Sequence, residues 1–144
     1  MNLFQSLNQF WGQRPIRKVN FEYIKTAIKN PPNYYIINTL PQNFQDCLIS
    51  NTISYLEEEK IINEMISSYQ SPQKTIIIYG MNSQDDTAEN KYKQLCGLGL
   101  ENVYLYSGGL FEWALLQDIY GTIQFSTSSK VIDIIRLSNN NKFV

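Results

Sequence analysis

The chain has 144 residues, a formal net charge of -1 and a pI near 5.4, which fits a single domain with one hydrophobic core. This balance leaves no overall basic charge for a phosphate backbone, and no apolar run approaches the ~18 residues of a membrane-spanning helix. The sequence contains no histidine, which excludes Ser-His-Asp and Cys-His catalysis and the histidine-based zinc sites. We therefore expect neither nucleic-acid binding nor a transmembrane segment.

The N-terminal segment, residues 1–19, is predicted to be an amphipathic helix followed by a linker. Phe4, Leu7, Phe10 and Trp11 recur at helical spacing and form one apolar face. The stretch carries basic but no acidic side chains, which is also typical of mitochondrial targeting segments. We expect a helix that docks on a protein partner, with a mitochondrial location, or a cytoplasmic location as the alternative.

Helices and strands alternate through the middle of the sequence. The apolar spacing predicts helices at 21–29 (capped by Asn20), 54–69, 87–95 and 110–119, and strands at 34–37, 48–49, 75–79 and 103–106. Such alternation with short polar turns indicates an α/β fold. We predict a three-layer α/β/α domain with a small, mostly parallel central sheet at residues 20–121. Residues 122–144, rich in Ser, Thr and Asn, are predicted to be a C-terminal extension that the domain does not need.

The stretch from Lys74 to Trp113, "KTIIIYGMNSQDDTAENKYKQLCGLGLENVYLYSGGLFEW", carries a family resemblance. A buried strand, a polar loop and a helix are followed by an "NVY" strand and a "GGLxxW" helix start. In this order and spacing the stretch resembles the C-terminal half of rhodanese-like domains, and the resemblance extends more weakly over residues 20–121. It implies the fold of that family and raises its sulfurtransferase activity as an expectation to be tested.

The resemblance fails where the chemistry would occur. A sulfurtransferase of this type needs a cysteine thiolate at the first position of the loop after the strand, to carry the persulfide. That position is Gly80 in this sequence, so no covalent intermediate can form there. The sequence therefore predicts a degenerate active-site loop, which consists of Gly80, Met81, Asn82, Ser83, Gln84, Asp85 and Asp86.

The two acidic residues of this loop are predicted to be structural. The resemblance implies a cradle of backbone N–H groups for an anion, and carboxylates there repel an incoming thiosulfate or phosphate. Asp86 with Glu89 resembles a capping box that starts the following helix. A paired-carboxylate site at Asp85 and Asp86 is the alternative; adjacent residues rarely point into one cleft, and we expect no lysine nearby to complete it.

The two cysteines leave a second functional hypothesis open. Cys96 lies near the end of a predicted helix, where a small buried apolar residue is the ordinary explanation, and Cys47 lies in a loop. Either could serve as a displaced persulfide carrier, and the empty position at Gly80 could instead bind a small anion or other ligand as a sensor.

An inactive rhodanese-like domain that acts as a structural or protein-interaction module is the leading hypothesis. Its partners would be subunits of a larger assembly, bound through the N-terminal helix and the C-terminal extension. The assembly would also allow peripheral association with a membrane. We predict no catalytic, cofactor-binding or metal-binding residue and no cofactor.

Overall fold

A computed structural model describes residues 15–68, 74–130 and 133–138. Its helices are α1 (Phe21–Lys29), α2 (Tyr55–Ser67), α3 (Asp86–Gly97) and α4 (Gly109–Tyr120), and its strands are β1 (Lys18–Val19), β2 (Tyr34–Asn38), β3 (Thr75–Tyr79) and β4 (Val103–Tyr106). Short 3-10 helices lie at Pro31–Asn33, Gln42–Phe44 and Ile135–Ser138. The predicted N-terminal interaction residues, Phe4, Leu7, Phe10 and Trp11, lie outside the described residues.

The four strands form one parallel sheet in the order β1-β4-β3-β2. β3, the strand before the candidate loop, lies between β4 and β2 and is covered on both faces. Its alternate side chains belong to two clusters: Ile77 and Tyr79 pack with α1 and α4, whereas Ile76 and Ile78 pack with α2 and α3. The predicted three-layer α/β/α architecture is therefore confirmed.

The helices and central strands follow the predicted pattern closely. Asn20 caps α1, its side chain accepting a hydrogen bond from the N–H of Glu22 at 3.0 Å. The strands at 75–79 and 103–106 have the predicted bounds, and β2 extends one residue further, to Asn38. α2 ends at Ser67, before the predicted end at residue 69, which lies outside the described residues.

Two expectations about the sheet are wrong. Residues 48–49 do not form a strand of the sheet: Ile49 makes a single antiparallel bridge to Thr127, and its N–H donates to the Tyr79 hydroxyl. Lys18 and Val19, predicted as linker, form β1 because the exposed edge of β4 offers unpaired backbone groups.

The start of the C-terminal extension packs into the domain. Phe125 and Leu137 are both buried and belong to the cluster of α1 and α4. Trp113 donates from Nε1 to the carbonyl of Ser126 at 3.0 Å, and its ring lies edge-on to Phe125 at 5.0 Å between centroids. The expectation that the domain does not need this extension is therefore wrong for these residues.

We predict that Phe125→Ala lowers the free energy of unfolding by about 3–5 kcal/mol, because it removes a buried ring from the core. Ile123→Ala, two residues away at a side chain that is 93% exposed, is the matched control and should change the stability by less than about 0.5 kcal/mol. Urea denaturation measures both. Equal, small losses would show that the extension is peripheral to the fold.

Candidate functional site

The candidate loop, Gly80 to Asp86, lies between the carboxyl end of β3 and the start of α3. In parallel α/β sheets, ligands bind at this edge. A cleft of about 60 Å³ opens beside the loop, and its lining includes Lys18, Gly80, Asp85, Glu89 and Ser107. The space suits only a very small ligand, since one water molecule occupies ~30 Å³ in the liquid.

Gly80 lies at the position that the resemblance assigns to the nucleophile, and its surroundings leave little room for a side chain. A Cβ atom at Gly80 would lie 2.6 Å from Oδ2 of Asp85 and 3.2 Å from Cβ of Ala88. The first of these distances is shorter than van der Waals contact. A residue larger than glycine at position 80 therefore requires the carboxylate of Asp85 to move.

The carboxylate of Asp85 binds the N–H groups that would otherwise face a bound anion. Oδ2 accepts from the N–H of Met81 at 2.9 Å, while Oδ1 accepts from the N–H of Thr87 at 3.0 Å and from its hydroxyl at 2.6 Å. A carboxylate at a helix N-terminus is also stabilised by the helix dipole. The protein's own carboxylate thus binds the N–H groups of Met81 and Thr87, in the part of the loop where the resemblance implies an anion cradle.

The cap of α3 differs by one position from the prediction. Asp85, in an extended conformation, is the N-cap, and Asp86 is the first residue of the helix, with Glu89 also in its first turn. Both Asp85 and Asp86 can accept hydrogen bonds, so the local sequence does not distinguish them. The loop backbone determines which residue is the N-cap, because it directs the Asp85 side chain back toward Met81.

The other side of the loop is held by α4. The N–H groups of Leu110 and Phe111 donate to the carbonyls of Gly80 and Met81 at 3.0 and 2.8 Å. Gly109, with φ of +68°, makes this approach possible, because a Cβ atom there would lie 2.8–2.9 Å from backbone atoms of the loop. The second glycine of "GGLxxW" is thus required by close backbone packing.

Asn82 connects the loop to the C-terminal extension. Its Oδ1 accepts from the N–H of Gln84 at 2.9 Å, and its Nδ2 donates to the carbonyl of Leu137 at 2.7 Å. Met81 and Asn82 are both buried, which is unusual for the middle of a polar loop. Residues 80–82 are therefore covered by the chain itself.

Lys18 is a member of the cleft that sequence reasoning missed. The expectation of no lysine near the acidic residues is wrong, because β1 places Lys18 in the same lining as Asp85 and Glu89. A strand of two residues leaves no periodic pattern, so only its pairing with β4 reveals this position.

Tyr106, also in the lining, is held in its neutral form. Burial raises the pKa of Tyr106 far above its usual value, and the carboxylate of Glu112, which accepts from the hydroxyl at 2.7 Å, raises the pKa further. The phenol is therefore a hydrogen-bond donor at neutral pH and does not act as a base.

Neither cysteine is part of the cleft lining. The Sγ of Cys47 donates to the carbonyl of Ser129 at 3.3 Å, and Cys96 packs against the cluster of α2 and α3 at the end of α3. Within the described residues, no group of three Cys, Asp or Glu side chains could hold a metal ion. None of the helices in that part of the chain has the length and hydrophobicity needed to cross a bilayer.

The sheet order, the two helical layers and the loop at the carboxyl edge define an α/β domain of the rhodanese type. A sequence model described as the rhodanese-like domain matches residues 21–116, so the chain belongs to the rhodanese-like family. The predicted resemblance is thereby confirmed. A comparison with curated proteins finds no match.

Solved structures of proteins from several organisms have the same fold. A protein from Lactobacillus plantarum shares 17% identity over 79% of this chain and 92% of its own, with a TM-score of 0.55. The Alr3790 protein from Anabaena sp. shares 21% over 83% and 86%, with a TM-score of 0.54. An As-Sb reductase from Leishmania major shares 16% over 76% and 81%, with a TM-score of 0.54. At such identities the similarity shows the fold alone.

We predict that Asp85→Ala lowers the free energy of unfolding by about 1–2 kcal/mol, because it removes the N-cap of α3 and leaves the Met81 N–H without its acceptor. Asp86→Ala is the matched control and should cost only about 0.5 kcal/mol, the effect of one charge on the helix dipole. Urea denaturation compares the two. A larger loss of stability in Asp86→Ala than in Asp85→Ala would support the predicted capping box of Asp86 and Glu89 instead.

Proposed function

We propose that this rhodanese-like domain has no sulfurtransferase activity and serves as a protein-interaction module. The observation that carries the proposal is the Asp85 carboxylate, which accepts hydrogen bonds from Met81 and Thr87 and lies 2.6 Å from the Cβ position of Gly80. Two requirements of the family chemistry, a thiolate and a free anion cradle, are thus missing at one point.

The negative charge of Asp85 also disfavours the binding of an anionic substrate at the loop. An anion such as thiosulfate would have to displace a carboxylate that already accepts three hydrogen bonds, and the two negative charges would repel each other. Lys18 is in the same lining, but so is Glu89, which also lies in the first turn of α3. These features favour a structural role for the loop over anion binding.

A sulfurtransferase assay with thiosulfate and cyanide tests the proposal on the wild-type chain, which should show no turnover above background. Persulfide labelling with Cys47→Ser and Cys96→Ser variants identifies any displaced carrier. Turnover that either substitution abolishes would contradict the proposal and assign the activity to that cysteine.

A cysteine introduced at Gly80 tests the physical argument separately. In a Cys47→Ser, Cys96→Ser background, Gly80→Cys places a thiol beside the Asp85 carboxylate, which disfavours the thiolate. Adding Asp85→Ala removes the charge and frees the N–H groups of Met81 and Thr87. We expect the thiol of Gly80→Cys with Asp85→Ala to react with iodoacetamide at neutral pH at least about tenfold faster than the thiol of Gly80→Cys alone. A tenfold difference corresponds to a thiol pKa lowered by about one unit. Equal rates would show that Asp85 does not suppress chemistry at position 80.

The interaction role is supported by apolar side chains that the described part of the domain leaves exposed. Ile119 and Tyr120 at the end of α4 are 69% and 64% exposed, and Ile123 follows in the next turn. Protein subunits of a larger assembly would bind here and at the predicted N-terminal helix. Since Phe125 and Leu137 of the extension are buried in the core, its contribution would come from exposed side chains such as Ile123 and Ile135. A mitochondrial assembly stays a prediction from the N-terminal sequence.

Gentle size fractionation of a native extract tests this role. We expect the chain to migrate with a larger assembly, and Ile119→Lys to shift it toward smaller species because a charge is placed in an apolar contact. Leu98→Lys, a side chain 50% exposed at the end of α3, is the control. Migration of the wild-type chain as a free 16.8 kDa monomer would contradict the proposal.

A further inference from the structure

The C-terminal strap, residues 133–138, packs against Met81 and Asn82 of the candidate loop, as a bound peptide would. Its short helix, Ile135–Ser138, contacts α4, and its Leu137 side chain is buried in the cluster that also contains Met81. Ile135, by contrast, is 77% exposed. The strap thus presents one side chain inward and one outward.

Three kinds of contact fix the strap. Leu137 supplies a buried apolar side chain, and its carbonyl accepts from Nδ2 of Asn82 at 2.7 Å. The guanidinium of Arg136 lies over the ring of Phe44, 4.6 Å from the centroid, in a cation–π contact. All three are contacts that a separate peptide could make.

The side-chain amide of Asn82 is held by hydrogen bonds at both of its polar atoms. Its Oδ1 accepts from the N–H of Gln84, and its Nδ2 donates to the carbonyl of Leu137 in a buried hydrogen bond. A primary amide that presents a donor beside an apolar pocket recognises a backbone carbonyl next to a hydrophobic side chain. Phe44 adds a preference for a cation one residue earlier.

We infer that the surface formed by Phe44, Met81, Asn82 and α4 is a peptide-docking site, which the chain fills with its own Arg136 and Leu137. Its other occupant is a partner segment of the same chemistry, with an arginine followed by a leucine-like residue. This inference goes beyond the proposed function, because it does not depend on the chemistry of Gly80. The strap, tethered to its own domain, competes with any partner at a high effective concentration.

The test uses the full-length chain with Leu137→Asp, which should release the strap. A labelled peptide of residues 133–138 should bind this variant at least about tenfold more tightly than it binds the wild-type chain, because the tethered competitor is removed. Ile135→Asp is the matched control: it adds the same charge to the strap at an exposed side chain and should leave the site occupied. A peptide carrying Leu137→Asp should not bind.

A folded Leu137→Asp variant that binds no peptide would overturn the inference. If that variant does not fold, hydrogen exchange on the wild-type chain and on Asn82→Ala decides. We expect the Leu137 amide to exchange through local opening, faster than the Ile77 amide of the sheet, and faster still in Asn82→Ala. Exchange of both amides only with global unfolding would show that the strap is not a separable ligand.

Discussion

The loop between β3 and α3 depends on the satisfaction of its own backbone groups. The Asp85 carboxylate accepts from the N–H of Met81 in the loop and of Thr87 in α3. The first turn of α4 donates to the carbonyls of Gly80 and Met81. The resemblance implies a loop whose N–H groups, at a helix N-terminus, are available to an anion. Here the folded chain supplies partners for the N–H of Met81 and for the carbonyls of Gly80 and Met81.

The same loop links the carboxyl edge of the sheet to the C-terminal extension. Asn82 reaches Leu137, while Trp113 and Gln117 of α4 reach the backbone of Ser126 and Phe125. The extension therefore covers both α4 and the loop that α4 supports. The part of the molecule where a substrate would enter is built from segments distant in sequence.

The central strands were predictable because a continuous run of β-branched and aromatic residues between polar turns is typical of a buried strand. The helices were predictable because their apolar residues recur at helical spacing, as expected for helices that pack one face against a sheet. The position of the candidate loop and the absence of a thiol at Gly80 follow from the sequence alone.

Other features depend on contacts between distant segments, which local patterns do not encode. Lys18 reaches the cleft through the pairing of β1 with β4, and Phe125 enters the core by packing against Trp113 of α4. The choice of Asp85 over Asp86 as the cap depends on the direction of the loop backbone. Each is decided by tertiary structure acting on a sequence with more than one acceptable local conformation.

The closeness of Gly80 and Asp85 couples these two positions in any redesign of the loop. A cysteine at position 80 would displace the Asp85 carboxylate while that negative charge stayed in the loop. The replacement of Asp85 alone would remove a helix cap and place no nucleophile in the loop. We therefore expect the effects of the two substitutions to be non-additive. Thiol chemistry at this loop calls for both changes made together.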